Sequence, residues 1–193
     1  MSNPEIFRGH DSKAFRLSLA RGESCCHTVS LQVAKVSFEI HPSGSYCDPI
    51  RDLLLAAAEL PAHRYVTPGN RARLEHNHFA WHCEPDDVLW KFRPTKLSHG
   101  FRLSLLHRDS DWHPYRCFLE TVLDRREFIR QIWSEACALL REGGIAYHGT
   151  HASFPFREFL SVHEMVTGDK LPGTLSEELE ILKHIALPPP LNS

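Results

Sequence analysis

The 193-residue chain predicts an α+β fold: an antiparallel meander sheet of about four strands, two main helices packed on one face, and a helical C-terminal segment. Three observations carry that prediction. Apolar and polar residues alternate through 29–40, 71–93 and 99–107, the period of half-buried strands. Apolar residues recur at three- and four-residue steps through 50–60 and 124–140, the period of an amphipathic helix. Turn-forming residues separate the runs, with Pro42, Ser43, Gly44 and Ser45 after the first and Glu84, Pro85, Asp86 and Asp87 inside the second.

Residues 1–28 show no sustained period and read as an irregular N-terminal arm. Beyond them, Val29, Leu31 and Val33 lie on one parity and Val36, Phe38 and Ile40 on the other, so the switch near Ala34 and Lys35 reads as a β-bulge. Asp48 followed by Pro49 supplies an N-cap and a first-turn proline for a helix. Its apolar stripe is Ile50, Leu53, Leu54, Ala57 and Leu60, and Pro61 ends it. The next strand puts Phe79, Trp81 and Cys83 on one face and His76, His78 and His82 on the other. With a turn of Glu84 to Asp87, Cys83 faces Val88, Trp81 faces Trp90, Phe79 faces Phe92, His78 faces Arg93 and His82 faces Leu89. A third strand runs from His99 to His107 with Phe101, Leu103 and Leu105 inward.

From Asp124 a second helix buries Phe128 or Ile129, Ile132, Trp133, Ala136, Leu139 and Leu140, with Asp124 and Glu127 at its start, Arg141 near its end, and Gly143 and Gly144 closing it. Shorter helices are expected over 155–166 and 174–186, and the proline-rich 187–193 reads as an extended tail. The organisation is thus an arm over 1–28, a single α+β domain over 29–186 and a tail over 187–193, with no internal repeat.

A charged fraction of 24% and a hydrophobic fraction of 42% exclude a disordered or fibrous chain. The longest apolar run, Leu53 to Ala58, is far short of the roughly 18 to 20 residues of a membrane-spanning helix, so no membrane association is expected. Glu5, Arg8, Asp11 and Lys13 without an apolar stretch do not form a secretory signal, which makes a cytoplasmic location the expectation. The six cysteines include no CxxC pair and read as reduced, structural thiols. Residues 61–108 carry eight basic against four acidic side chains, too mild an excess to predict nucleic-acid binding.

His76, His78 and His82 form the one pattern that invites a metal. Two histidines two apart on a strand share a face, but His82 lies about 20 Å from His76 along an extended strand, beyond a common ion. The register adds a cation, Arg93, opposite His78 and no carboxylate nearby. No metal or cofactor is therefore predicted, and a metal-dependent enzyme using His76 and His78 stands as the alternative. Cys47 precedes the N-cap, where a helix N-terminus lowers a thiol pKa, but the Asp48 carboxylate opposes this and no base can be assigned to it. Walker A, GxGxxG, GxSxG and HExxH motifs are absent, and no catalytic residue is assigned.

Three local patterns stand together: Cys47-Asp48-Pro49 opening a helix, Trp81-His82-Cys83-Glu84-Pro85 followed by Trp90, and Asp124 through Phe128 opening a second helix. Over roughly residues 37–142 the chain resembles a family of small uncharacterised bacterial proteins, immunity-like in size and mixed architecture. The resemblance implies a fold and no functional residue. The functional expectation is a non-enzymatic protein-binding domain, in its narrowest form a toxin-neutralising immunity-type protein whose partner is another protein. A small-molecule-binding domain is a further alternative.

Overall fold

The aromatic residues Phe79, Trp81, Trp90 and Phe92 build the two strands at one side of the larger of two sheets. In the computed structural model, which describes residues 7–9, 15–21, 27–43, 48–60, 78–83, 86–95, 99–109, 113–143 and 154–169, the strands are β1 (Phe7–Gly9), β2 (Phe15–Arg21), β3 (His27–Val33), β4 (Val36–Ile40), β5 (His78–His82), β6 (Asp87–Pro94), β7 (Gly100–Arg108) and β8 (Arg116–Asp124). The helices are α1 (Pro49–Glu59), α2 (Arg125–Gly143) and α3 (Phe156–Thr167). β5 to β8 form the antiparallel meander, and β1 joins it in parallel beside β8. β2, β3 and β4 form a separate antiparallel sheet. The fold is α+β, with the meander and helices expected from periodicity.

One face of the meander is the core. Phe79 and Trp81 of β5, Trp90 and Phe92 of β6, Phe101, Leu103 and Leu105 of β7, and Leu119 and Leu123 of β8 share it across matched pairs. The rings touch in a continuous chain: Trp81 to Trp90 at 4.8 Å, Phe92 to Phe101 at 5.9 Å, and Phe101 to Phe128 of α2 at 5.1 Å. Aromatic pairs at these separations add roughly 0.5–1.5 kcal/mol each beyond the area they bury. α1 seats on the same face, where Trp81 Nε1–H donates to Asp52 Oδ2 at 3.0 Å. α3 packs on α1 and α2, and Arg51 lies 3.3 Å from Glu158 across the first of these contacts.

α1 begins as its sequence dictates. Arg51 N–H donates to Asp48 Oδ1 at 3.0 Å, Pro49 occupies the first turn, and Ile50, Leu53, Leu54, Ala57 and Leu60 are all buried. At the start of α2, Glu127 N–H donates to Asp124 Oδ1 at 3.0 Å, and its expected stripe is buried apart from the half-buried Trp133. The expected helix over 174–186 and the tail 187–193 lie outside the described residues.

Three expectations are corrected. Residues 1–28 are not an irregular arm, because β1 and β2 lie within them and β2 pairs with β3 along its length, so the boundary at residue 29 cuts through a sheet. The signal was present in Phe15, Leu17 and Leu19, which alternate with Arg16, Ser18 and Ala20 and are buried. Ala34 and Lys35 form a two-residue hairpin turn between Val33 and Val36 in place of a bulge, and the reversal puts the two parities on one face. The hairpin of β5 and β6 is displaced by two residues, so that Trp81 faces Val88, Phe79 faces Trp90, His78 faces Lys91 and His82 faces Asp87. A shift of two keeps every side chain on its face, so apolar matching alone could not distinguish the registers. The shorter turn decides it: Cys83 N–H donates to the Asp86 carbonyl at 2.7 Å, which draws Asp87 into the strand.

The outer edge of β2 is closed by a helix. Leu17 N–H donates to Gln131 Oε1 and Leu19 N–H to Glu135 Oε2, both at 2.9 Å, while Gln131 Nε2 donates to the Phe15 carbonyl at 3.0 Å. The match is geometric: four residues of helix advance about 6 Å and two residues of strand about 6.6 Å. An edge that would otherwise present unpaired amides is thereby satisfied by side chains one helical turn apart.

Candidate functional site

β4 is the other edge of the small sheet, and it crosses the end of the meander. Phe38 meets Phe118 of β8 at 5.4 Å, and farther along the chain Ser43 N–H donates to the His82 carbonyl of β5 at 2.7 Å. Between β4 and the ends of β6, β7 and β8 lies a groove of about 770 Å³. Its two walls differ in kind. One is made by the consecutive residues Ser37, Phe38, Glu39, Ile40 and His41, and a groove lined by both parities of a strand runs along that strand's edge. The other uses alternate residues, Asp86 and Val88, His107 and Asp109, and Pro114, Arg116 and Phe118, and is therefore a sheet face.

The backbone of β4 faces the groove at defined positions. The two-residue turn makes Val33 and Val36 the closing hydrogen-bonded pair, and alternation then makes Leu31–Phe38 and Val29–Ile40 the hydrogen-bonded pairs. Ser37 and Glu39 occupy the alternate positions, so their N–H and C=O groups point away from β3. Among the described residues no strand pairs with that edge.

The rim is polar and the floor apolar. His107 Nε2 lies 3.0 Å from Asp86 Oδ2, Asp109 Oδ1 lies 2.8 Å from His113 Nδ1, and Glu39 Oε2 lies 3.9 Å from His41 Nε2. The His113 hydrogen bond holds the Asp109 carboxyl below its ordinary range. Among the described lining residues, three carboxylates, Glu39, Asp86 and Asp109, stand against one guanidinium, Arg116. Phe38, Ile40, Val88 and Phe118 form the apolar part.

On the opposite face of the meander, His82, Asp87 and Arg108 stand in a row across β5, β6 and β7. Asp87 is buried, its Oδ1 lies 2.6 Å from His82 Nδ1, and Arg108 Nε donates to its Oδ2 at 3.0 Å while lying over the Tyr115 ring. Burial pushes the Asp87 carboxyl up, but the hydrogen bonds from Arg108 and His82 outweigh it and hold the group below the usual carboxylate range. The row ties together three strand ends.

Of the histidines singled out by pattern, the described His78 and His82 are not brought together. His78 is exposed opposite Lys91, His82 is engaged with Asp87, and His76 and Cys47 lie outside the described residues. A carboxylate does face His82, contrary to the expected register, yet among the described residues no three His, Cys, Asp or Glu side chains are grouped to hold a metal. Cys137 is buried in α2 and its thiol is pushed up to about 12 by burial, which makes it a packing residue. Pattern reading missed the groove, because its walls come from stretches distant in sequence: 37–41, Cys83 with Asp86 and Val88, His107 with Asp109, and Pro114 with Arg116 and Phe118. Among the described residues no helix is long and apolar enough to cross a membrane. The chain matches no family model, no curated protein and no solved structure.

Proposed function

We propose that the chain is a non-enzymatic protein-binding domain whose contact surface is the groove between β4 and the ends of β6, β7 and β8. One observation carries the reading: a strand edge with outward-pointing amides faces an apolar sheet surface rimmed by charge. That combination offers main-chain hydrogen bonds for affinity and side-chain pockets for specificity. The narrower form, a toxin-neutralising immunity-type protein, makes the partner a toxin domain.

The test is comparative affinity purification from native lysate with the wild-type chain and with Phe118→Asp, which places a charge on the groove floor. A partner retained by the first and lost by the second, with both proteins folded by circular dichroism, supports the reading. A partner held equally by both moves the contact elsewhere. The groove volume also lies within the range of small-ligand sites, about 300–1,000 Å³, which supports a small-molecule binder as the second reading. Co-purified small molecules identified by mass spectrometry, absent from Phe118→Asp, would favour it.

A further inference from the structure

We infer that the groove takes an extended segment of another protein as an added strand on β4, and that this segment alternates apolar residues with lysine or arginine. The inference deepens the protein-binding reading and rests on it.

Three features specify the occupant. First, the wall formed by 37–41 is about 16 Å long, enough for roughly five residues of extended chain. Ser37 and Glu39 offer it their N–H and C=O groups at the spacing of a sheet ladder. Second, a strand docked there turns one parity of its side chains toward Phe38, Val88 and Phe118, which calls for apolar residues at alternate positions. Third, the rim is acidic. Asp86 contacts one imidazole, and Asp109 has one imidazole, its own backbone N–H and the field of Arg116. An ionised carboxylate can accept about four hydrogen bonds, so both keep acceptor capacity for an incoming cation. Glu39 is exposed at the lip, its side chain two-thirds accessible.

The same features argue against a second copy of this chain. β4 of a second molecule would bring another Glu39 into an already acidic groove. Like charges across a strand pair are destabilising.

The experiment uses the full chain and a fluorescein-labelled hexapeptide alternating valine and lysine, read by fluorescence anisotropy at low ionic strength. The expected result is saturable binding that raises hydrogen-exchange protection at Ser37 and Glu39. It weakens at least tenfold when glutamate replaces lysine in the peptide, and at least tenfold for Glu39→Lys. A peptide N-methylated at alternate residues, which keeps its charge but lacks those amide donors, is expected not to bind. Equal binding of the N-methylated peptide would overturn strand addition. No binding of the parent peptide, with a partner still lost from Phe118→Asp in the lysate comparison, would overturn the proposed occupant while leaving the protein-binding reading intact. A concentration-dependent dimer in sedimentation, lost in Phe118→Asp, would replace the peptide with a second copy. Glu39→Lys alters an exposed side chain, and an unchanged thermal midpoint confirms that it reports on binding.

Discussion

Ala34 holds a left-handed backbone, φ +54°, at the first position of the turn between β3 and β4. An L-residue with a Cβ is strained there by roughly 1–2 kcal/mol, whereas glycine is not, although glycine also loosens the unfolded chain. Ala34→Gly is therefore expected to stabilise the protein by up to about 1 kcal/mol in urea unfolding, and a loss of stability would show that the alanine methyl has a partner that matters more. Asp52 is strained in a different sense. Burial raises its carboxyl to about 6 despite the hydrogen bond from Trp81, so the fold favours the protonated form. Stability from this site is greatest below the ordinary aspartate value and is lost as pH rises through about 6. Asp52→Asn keeps an acceptor for Trp81 and removes the charge. Partial exposure and the α1 dipole both moderate the effect, so the expected gain near neutral pH is on the order of 1–2 kcal/mol. It should vanish below about pH 4, and a gain independent of pH would point to another cause.

Elements reveal what local patterns can and cannot convey. α1 and α2 were legible because a cap and a stripe lie within one stretch of chain, as with Asp48, Pro49 and Leu53, or Asp124 and Ile132. The faces of β5 to β7 were legible for the same reason. Register was not, since it depends on the turn at Cys83 and Asp86, and β2 was overlooked although its alternation was plain, because its edge partner is a helix over a hundred residues away. That pairing is testable. Gln131→Ala leaves the Leu17 amide and the Phe15 carbonyl without their side-chain partner, and Glu135→Ala does the same to Leu19. Each should cost about 1–3 kcal/mol in chemical denaturation, and the double variant should aggregate faster as the β2 edge opens. Burial raises the Glu135 carboxyl, so Glu135→Gln should be milder than Glu135→Ala at neutral pH.

The contact between α2 and α3 has its own pH dependence. Trp133 Nε1–H donates to His163 Nδ1 at 3.1 Å, which requires that nitrogen to be unprotonated. Burial lowers the His163 pKa, with Asp169 pulling the other way, and the Phe159 ring lies 5.9 Å from the imidazole. A depressed value means the contribution is complete above the ordinary imidazole range and is lost as pH falls through the folded-state value. Acidification below the ordinary imidazole range should loosen α3 and shift Trp133 emission to longer wavelength, and His163→Gln should abolish that dependence. Persistence of the shift in the variant would assign it to another group.

At the scale of the whole molecule, two sheets share one set of helices, and their open ends define the groove. Nothing in the sequence places 37–41 beside 107–109 and 114–118, since that proximity is set by the crossing of β4 over the meander. The Ser43 to His82 hydrogen bond is where this crossing is fastened by backbone alone. The Ser43 amide is thus a clock for separation of the two sheets: its proton exchanges with solvent when β4 lifts from β5. If the groove is rigid, Ser43 should exchange as slowly as the meander core; if it breathes, Ser43 should exchange early while Leu103 and Leu105 stay protected. A strand bound on β4 would slow that clock, so the occupancy of one surface could be timed from a single proton on the far side of it.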